Sequence, residues 1–257
     1  MSKVKIAVQT ITFGDNQRDD FPAVFAAVAA SGANGVEIGY RHVAEYDPAK
    51  LKRELKDAGL ELVALHMGGN LVDTSQAAGE RQAVDKALDL LEELSCNLLL
   101  YSGLKTTDED VLTQDLAKLN TAALRCDQRG VKLLFHNHNW EFANNGHIMK
   151  RLLQESVPQL GLCPDIGWVH VGGADAMAFL ADNLKRLGAI HFKDFTAAPP
   201  EGDTIELGRG CAPLREAAAW MVTKCPHLWA IAEQDRSKLQ PAEAVAFNSK
   251  FLKESLV

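Results

Sequence analysis

The sequence lacks the features of a disulfide-stabilised or membrane protein. Its five cysteines are odd in number and scattered, and no two form a CxxC pair, so a disulfide framework or zinc knuckle is not indicated. No apolar run reaches the roughly 18 residues that a membrane helix needs. The N-terminus, MSKVKIAVQT, has no apolar stretch long enough for a signal peptide. These absences predict a soluble, cytoplasmic protein with reduced thiols and no membrane partner.

Positive charge is also scarce. Lys and Arg number 27 against 34 Asp and Glu, which gives a formal net charge of -7. Proteins that hold nucleic acid through its phosphates need a basic face, so we predict no nucleic-acid partner. The chain also lacks GxGxxG after its first predicted strand, where AVQTITFGDN stands instead. This removes the best signal for an open, dinucleotide-binding sheet.

Short apolar runs and helical patterns alternate along the chain. Runs suited to buried parallel strands lie near residues 4–9, 35–38, 60–66, 97–101, 131–136, 160–164, 187–192 and 228–232. Helical patterns lie at about 20–31, 48–58, 76–94, 108–129, 147–157, 174–185, 212–224 and 240–254. Eight βα units in a chain of this length predict an α/β fold, a single (β/α)8 TIM barrel over residues 1–257.

Polar side chains end these predicted strands. A parallel barrel gathers the C-terminal ends of its strands on one face, where its active site lies. The stretch LLFHNHNWEF, residues 133–142, brings two histidines and a glutamate to that face, and Asp165, His191 and Glu233 each end a later strand. The remaining strand-end polar residues are Gln9, Glu37, His66, Asn137, Lys193, Asp194, Gln234 and Asp235.

This residue set predicts a divalent metal. Carboxylates and imidazoles with little sulfur suit Mn²⁺, Mg²⁺, Co²⁺ or Zn²⁺ in an open site rather than a closed structural zinc site. Open positions let a metal hold a ketone oxygen and a neighbouring hydroxyl, and so stabilise the enediolate formed when an α-proton is removed. The alternative is a purely structural polar network.

The segments GVEIGY, LHMGGN, FHNHNWEF, LCPDIGWVHVGGAD, IHFKDF, LGRG and IAEQD occur in this order. Together they resemble the xylose isomerase-like TIM barrels, in particular a subgroup with a YHNHxxEF-like motif that includes sugar isomerases and relatives of inosose dehydratases and 3-keto-glycoside lyases. The resemblance covers nearly the whole chain. The same superfamily contains endonuclease IV, so the fold alone does not define the reaction.

The resemblance implies a metal-dependent sugar isomerase or epimerase that removes a proton α to a carbonyl. A dehydratase or lyase acting on a keto-cyclitol or 3-keto-glycoside is the alternative, and a non-catalytic sugar-binding barrel is a further one. The implied partner is a small-molecule sugar or keto-sugar. Relatives often form dimers or tetramers, so a homo-oligomer is a further expectation.

The resemblance also implies the metal ligands. Asp165, His191 and Glu233 would hold the metal together with a residue of the fifth strand. Related epimerases carry a Glu at the position of His136, so the fourth ligand is either His136 or Glu141, five residues later. We favour Glu141, because a third carboxylate better balances a divalent cation and leaves His136 for the substrate.

Roles in catalysis and binding follow from the strand-end positions together with the resemblance. Glu233 matches a glutamate that acts as acid or base in related epimerases, and its candidate catalytic partners are Glu37, His66, His136 and Lys193. Lys193 could polarise a carbonyl, or simply pair with Asp194 or another neighbour. The Pro- and Gly-rich loop at 196–210 is expected to cover the substrate. The predicted substrate-binding residues are Gln9, His138, Trp168 and Arg209.

Overall fold

The computed structural model of the chain describes residues 4–68, 77–198 and 202–257. Eight parallel strands in these ranges form one sheet in the order β6-β5-β4-β3-β2-β1-β10-β7. Two short strands, β8 and β9, pair antiparallel outside it. The strands are β1 Lys5–Gln9, β2 Gly35–Gly39, β3 Glu61–Gly68, β4 Leu98–Ser102, β5 Lys132–His136, β6 Gly161–Cys163, β7 Ala189–Phe192, β8 Asp194–Phe195, β9 Thr204–Ile205 and β10 Trp229–Ala232.

The sheet closes on itself between β6 and β7. Two parallel bridges, Leu162 to Leu187 and Asp165 to His191, join the two ends of the strand order. The result is a nearly closed barrel with helices between the strands, which confirms the predicted (β/α)8 class. That residues 1–257 form one domain stays a prediction.

Helices follow the strands, as the alternating pattern predicted. Within the described ranges, no helix combines the length and the apolar character that crossing a membrane requires. The helices are α1 Phe21–Ser31, α2 Tyr40–Val43, α3 Pro48–Ala58, α4 Ala77–Leu94, α5 Glu109–Gln128, α6 Ala143–Glu155, α7 Ile166–Val171, α8 Ala176–Asp182, α9 Leu214–Lys224 and α10 Pro241–Ser255.

Three helical details differ from the sequence prediction. The short helices α2 and α7 were not predicted, and the helix expected at 174–185 is divided into α8 and a 3-10 turn, Leu184–Arg186. The helix expected from residue 147 begins earlier, because the three residues 144–146 add a turn in the left-handed region. Asn and Gly tolerate that conformation better than other residues.

Small and medium side chains fill the barrel interior. These side chains form a layer inside the barrel, which we call the interior layer. It consists of the buried residues Ala7, Val63, Ala64, Leu100, Leu134, Cys163, Ala189 and Ile231. A larger apolar cluster packs the helices against the outside of the sheet. Because apolar residues fill the interior below, the polar residues at the strand ends lie at the mouth of the barrel.

Candidate metal and active site

Four buried side chains meet at the C-terminal ends of four strands. His136 ends β5, His191 lies in β7, Asp165 follows β6 and Glu233 follows β10. One potential ligand atom from each lies within 4.8 Å of the other three, and each residue is at most 6% exposed. We call these four residues the metal cluster. Their role as ligands stays a prediction.

The metal cluster contains buried polar atoms that lack a hydrogen-bond partner. His136 Nδ1 and Asp165 Oδ2 are buried without a hydrogen bond, and leaving such atoms unpaired costs stability. Unpaired polar atoms of this kind remain available to a bound cation. Two imidazoles and two carboxylates are ligand types that Mn²⁺, Co²⁺ and Zn²⁺ accept, so the residues present fit a divalent metal.

Glu141, the favoured fourth ligand in the sequence analysis, is not in this group. Among the described residues that could hold a metal, β5 contributes His136 instead. Glu141 is fully buried, and its Oε2 accepts the His138 N–H at 2.7 Å while Oε1 lacks a partner. Burial raises the pKa of this carboxyl to about 8, against the opposing effect of the His138 N–H. The geometry therefore favours His136, the alternative.

Lys193 places a buried positive charge beside the metal cluster. Its Nζ lies 2.9 Å from Asp235 Oδ2, 3.1 Å from Glu233 Oε1 and 3.9 Å from Asp165 Oδ2. Burial opposes the charge, but these carboxylates outweigh it and raise the pKa of Lys193. The considered pairing with Asp194 is not what the structure shows, because Asp194 accepts backbone N–H groups instead.

Hydrogen bonds to Glu37 orient His66 and His191. Glu37 is fully buried, with Oε1 2.8 Å from His66 Nδ1 and Oε2 2.7 Å from His191 Nε2. Burial would raise the pKa of Glu37, but His191 and His66 outweigh it and lower the pKa. His191 Nδ1 lies 2.6 Å from Glu233 Oε2. Glu37 thus fixes both imidazole rings.

A cavity of about 550 Å³ opens at the metal cluster. Five residues named in the sequence analysis line it: Gln9, His66, His136, His138 and Glu233. Sequence reasoning missed Ser102, Tyr40 and Arg41, which also line it. Ser102 ends β4 after an apolar run and bonds His66 Nε2 at 3.1 Å, so the same strand-end criterion would have found it.

An aromatic group lies next to Lys193. His138 stacks on Trp140 with ring centroids 4.1 Å apart, and Trp168 lies 5.6 Å from His138. The Lys193 ammonium lies 5.2 Å from the Trp168 ring centroid. Burial, followed by the charge of Lys193, lowers the pKa of His138 to about 3, so this imidazole is neutral. Flat apolar faces of this kind suit the C–H face of a sugar.

Arg209 and its loop lie differently from the prediction. Arg209 is exposed, pairs with Glu206 at 3.0 Å and packs on Phe247, and it is not among the residues that line the described cavity. Of the predicted covering segment 196–210, residues 199–201 lie outside the described residues. The remainder includes β9, which pairs with β8. Substrate contact by Arg209 stays a prediction without support from this geometry.

The fold and this cluster define a TIM barrel whose mouth is suited to a divalent metal. Residues 25–255 match the model of the xylose isomerase-like TIM barrel family, and the chain belongs to that family. Its members include sugar-modifying enzymes.

Individual relatives cover almost the whole chain. Inosose dehydratase of Salmonella typhimurium strain LT2 is 23% identical over 274 residues, 93% of this chain and 90% of the relative. A sugar phosphate isomerase/epimerase from Parabacteroides distasonis superposes with a TM-score of 0.81 at 20% identity, over 100% and 95% of the chains. D-allulose 3-epimerase from Methylomonas sp., solved with D-allulose, superposes with a TM-score of 0.79 at 16% identity, over 99% of this chain and 98% of that structure. At these identities the two structures show the fold alone.

Proposed function

We propose that this protein is a metal-dependent lyase that removes water from a small polyhydroxylated ketone after abstracting the proton α to the carbonyl. The observation that carries the proposal is the metal cluster beside Lys193, two members of which, His136 and Glu233, line a cavity of about 550 Å³. The relationship to inosose dehydratase supports elimination over the isomerisation that the sequence analysis placed first.

Glu233 is the proposed base. Burial would raise the pKa of its carboxyl, but Lys193 and His191 outweigh this and hold the pKa well below its usual range. The carboxylate is therefore ionised, which is the form that a proton acceptor needs, and Lys193 Nζ lies 3.1 Å from its Oε1. A divalent cation in the cluster would supply Lewis acidity for the negative charge that develops on the substrate oxygens.

His66 is the proposed acid for the leaving hydroxyl. Its Nδ1 is held by Glu37, and its Nε2, now bonded to Ser102, lies at the cavity wall. The α-proton passes to Glu233, the C–O bond to the β-hydroxyl breaks, and a proton from His66 leaves with that hydroxyl as water. Gln9 and His138, which also line the cavity, are the proposed partners of the substrate hydroxyls.

The experiment uses protein loaded with Mn²⁺ and incubated in D₂O with a panel of keto-inositols and ketohexoses. Mass spectrometry should show a product lighter by one water. Glu233→Gln should lower kcat by about 10³-fold, as expected for loss of a general base, whereas the exposed Glu216→Gln control should not. Products that keep their mass apart from added deuterium would instead identify the second candidate.

That second candidate is an isomerase or epimerase. Two proton-transfer groups, Glu233 and His66, line one cavity, and such an enzyme needs a group to remove a proton and a group to return it. The two epimerase-related structures share the fold. Solvent deuterium in an isomeric product, with no dehydrated product for any substrate, would replace the lyase proposal with this one.

A further inference from the structure

Cys163 faces the barrel interior next to the metal cluster. In the β5 and β6 register it is the partner of His136. It lies two residues before Asp165, and residues two apart in extended chain point to the same side. Cys163 is fully buried in the interior layer. The only thiol in that layer of described residues therefore lies between two members of the metal cluster.

Cys163 and two histidines form a second group of ligand atoms. One such atom each from His136, Cys163 and His191 lies within 4.8 Å of the others. His136 Nδ1, in a side chain only 1% exposed, has no partner. The two imidazoles are thus shared between an oxygen-containing set and a sulfur-containing set.

We propose that the centre has two coordination modes, selected by the softness of the ion. Mn²⁺ and Mg²⁺ bind through the metal cluster, His136, Asp165, His191 and Glu233. Zn²⁺ and Cd²⁺ bind through His136, Cys163 and His191. Hard ions prefer carboxylate oxygen, whereas thiolate selects softer ions, so one pair of histidines serves both.

The sulfur mode involves proton displacement without oxidation. The Cys163 S–H bond breaks, its proton passes to the solvent, and a bond forms between Sγ and the incoming cation. The ion is then held by the interior layer instead of by Asp165 and Glu233. One consequence rests on the proposed lyase function: if that function holds, Zn²⁺ competes with Mn²⁺ and inhibits the enzyme.

The test uses protein stripped with a chelator and titrated with Cd²⁺, because a cadmium–thiolate bond has an ultraviolet charge-transfer absorption that nitrogen and oxygen ligands do not produce. Cys211 is exposed, so Cys211→Ser serves as the matched control and as the parent for further variants. The absorption should rise to saturation at one equivalent in wild type and in C211S. It should be absent in C163S.

Competition calorimetry provides the second measurement. Cys163→Ser should weaken Zn²⁺ binding by at least about tenfold, roughly 1.4 kcal/mol, while Mn²⁺ affinity changes by less than about threefold. Cys163→Ala, which leaves no ligand atom at this position, should weaken Zn²⁺ binding relative to Mn²⁺ binding to the same extent. Circular dichroism checks that each variant is folded.

Absence of the Cd²⁺ absorption in wild type would overturn the proposal even if every variant failed to fold. So would its persistence in C163S, or equal loss of Zn²⁺ and Mn²⁺ affinity. The proposed function can fail separately. If the protein binds Cd²⁺ through the thiolate but has no activity on any keto-sugar, the two coordination modes stand and the lyase proposal is wrong.

Discussion

His136 is the residue on which the identity of the fourth ligand depends. It lies in the metal cluster, whereas Glu141 binds the His138 N–H in a buried site. Removing a ligand should cost more metal affinity than changing a nearby carboxyl. His136→Ala is therefore expected to weaken Mn²⁺ binding by about 100-fold or more, and Glu141→Gln by less than about threefold, in isothermal titration calorimetry. A larger loss in E141Q than in H136A would restore Glu141 as the ligand.

Lys193 compensates several carboxylates that are otherwise too close together. Replacing it with Met leaves Glu233, Asp165 and Asp235 without their buried cation. Breaking such a group destabilises by roughly 3–5 kcal/mol. We expect Lys193→Met to lower the free energy of unfolding of the metal-free protein by about that amount in urea denaturation.

Asp235→Asn is the control for Lys193. The Asp235 side chain is 37% exposed, and the variant keeps the contact between Lys193 and Glu233. Asp235→Asn should lower the free energy of unfolding by less than about 1 kcal/mol, because partly exposed ion pairs contribute little. Equal losses in K193M and D235N would show that Lys193 does not offset the buried charge of Glu233 and Asp165.

At the residue scale, strand ends were easier to predict than loops. Asp165, His191 and Glu233 each follow an apolar run, and the barrel gathers strand ends whatever the loops do. The partners of Lys193 and the position of Arg209 depend on loop conformation, and the hydrophobic pattern of the strands does not predict how loops fold. His136 entered the cluster because the β5 register places it beside Cys163, and register cannot be read from one strand alone.

At the scale of elements, Asp194 organises the loop after β7. Its Oδ2 accepts the N–H groups of Gly208 and Gly210, and its Oδ1 accepts those of Phe195 and Ala212. An amide in place of the carboxylate can accept through only one of the two atoms. Asp194→Asn should therefore lower the free energy of unfolding by about 2–4 kcal/mol and speed hydrogen exchange at Gly208 and Gly210.

The control for Asp194 is on the same hairpin. Asp203 is exposed and accepts from Thr204 N–H and Arg236. Asp203→Asn should change stability by less than about 1 kcal/mol. Unchanged exchange at both glycines in D194N would mean that the backbone of the loop holds its shape without the carboxylate.

The eight-unit alternation was visible in the sequence because buried strands and amphipathic helices have different periods. The short helix α7 was not, because six residues are too few to show a helical period. Its start depends on Asp165, whose Oδ1 accepts the Trp168 N–H. Asp165 follows a strand, caps a helix and belongs to the metal cluster, and of these three roles only the helix cap was absent from the sequence prediction.

At the scale of the whole molecule, the metal cluster lies across the place where the barrel closes. Only the two bridges from Leu162 to Leu187 and from Asp165 to His191 join β6 to β7 among the described residues. Two members of the cluster form one of these bridges. A cation held by Asp165 and His191 would therefore link the two sides of the closure, and its stabilising effect should be greatest there.

We accordingly expect Mn²⁺ at 100 times its dissociation constant to raise the free energy of unfolding by about 2.7 kcal/mol, through preferential binding to the folded state. Hydrogen exchange should slow more in β6 and β7 than in β3 and β4, which are joined by a regular ladder. Asp165→Asn should abolish both effects by removing an anionic ligand from the closure. Uniform slowing across all strands would show that binding stabilises the barrel as a whole and that the closure has no special dependence on the metal.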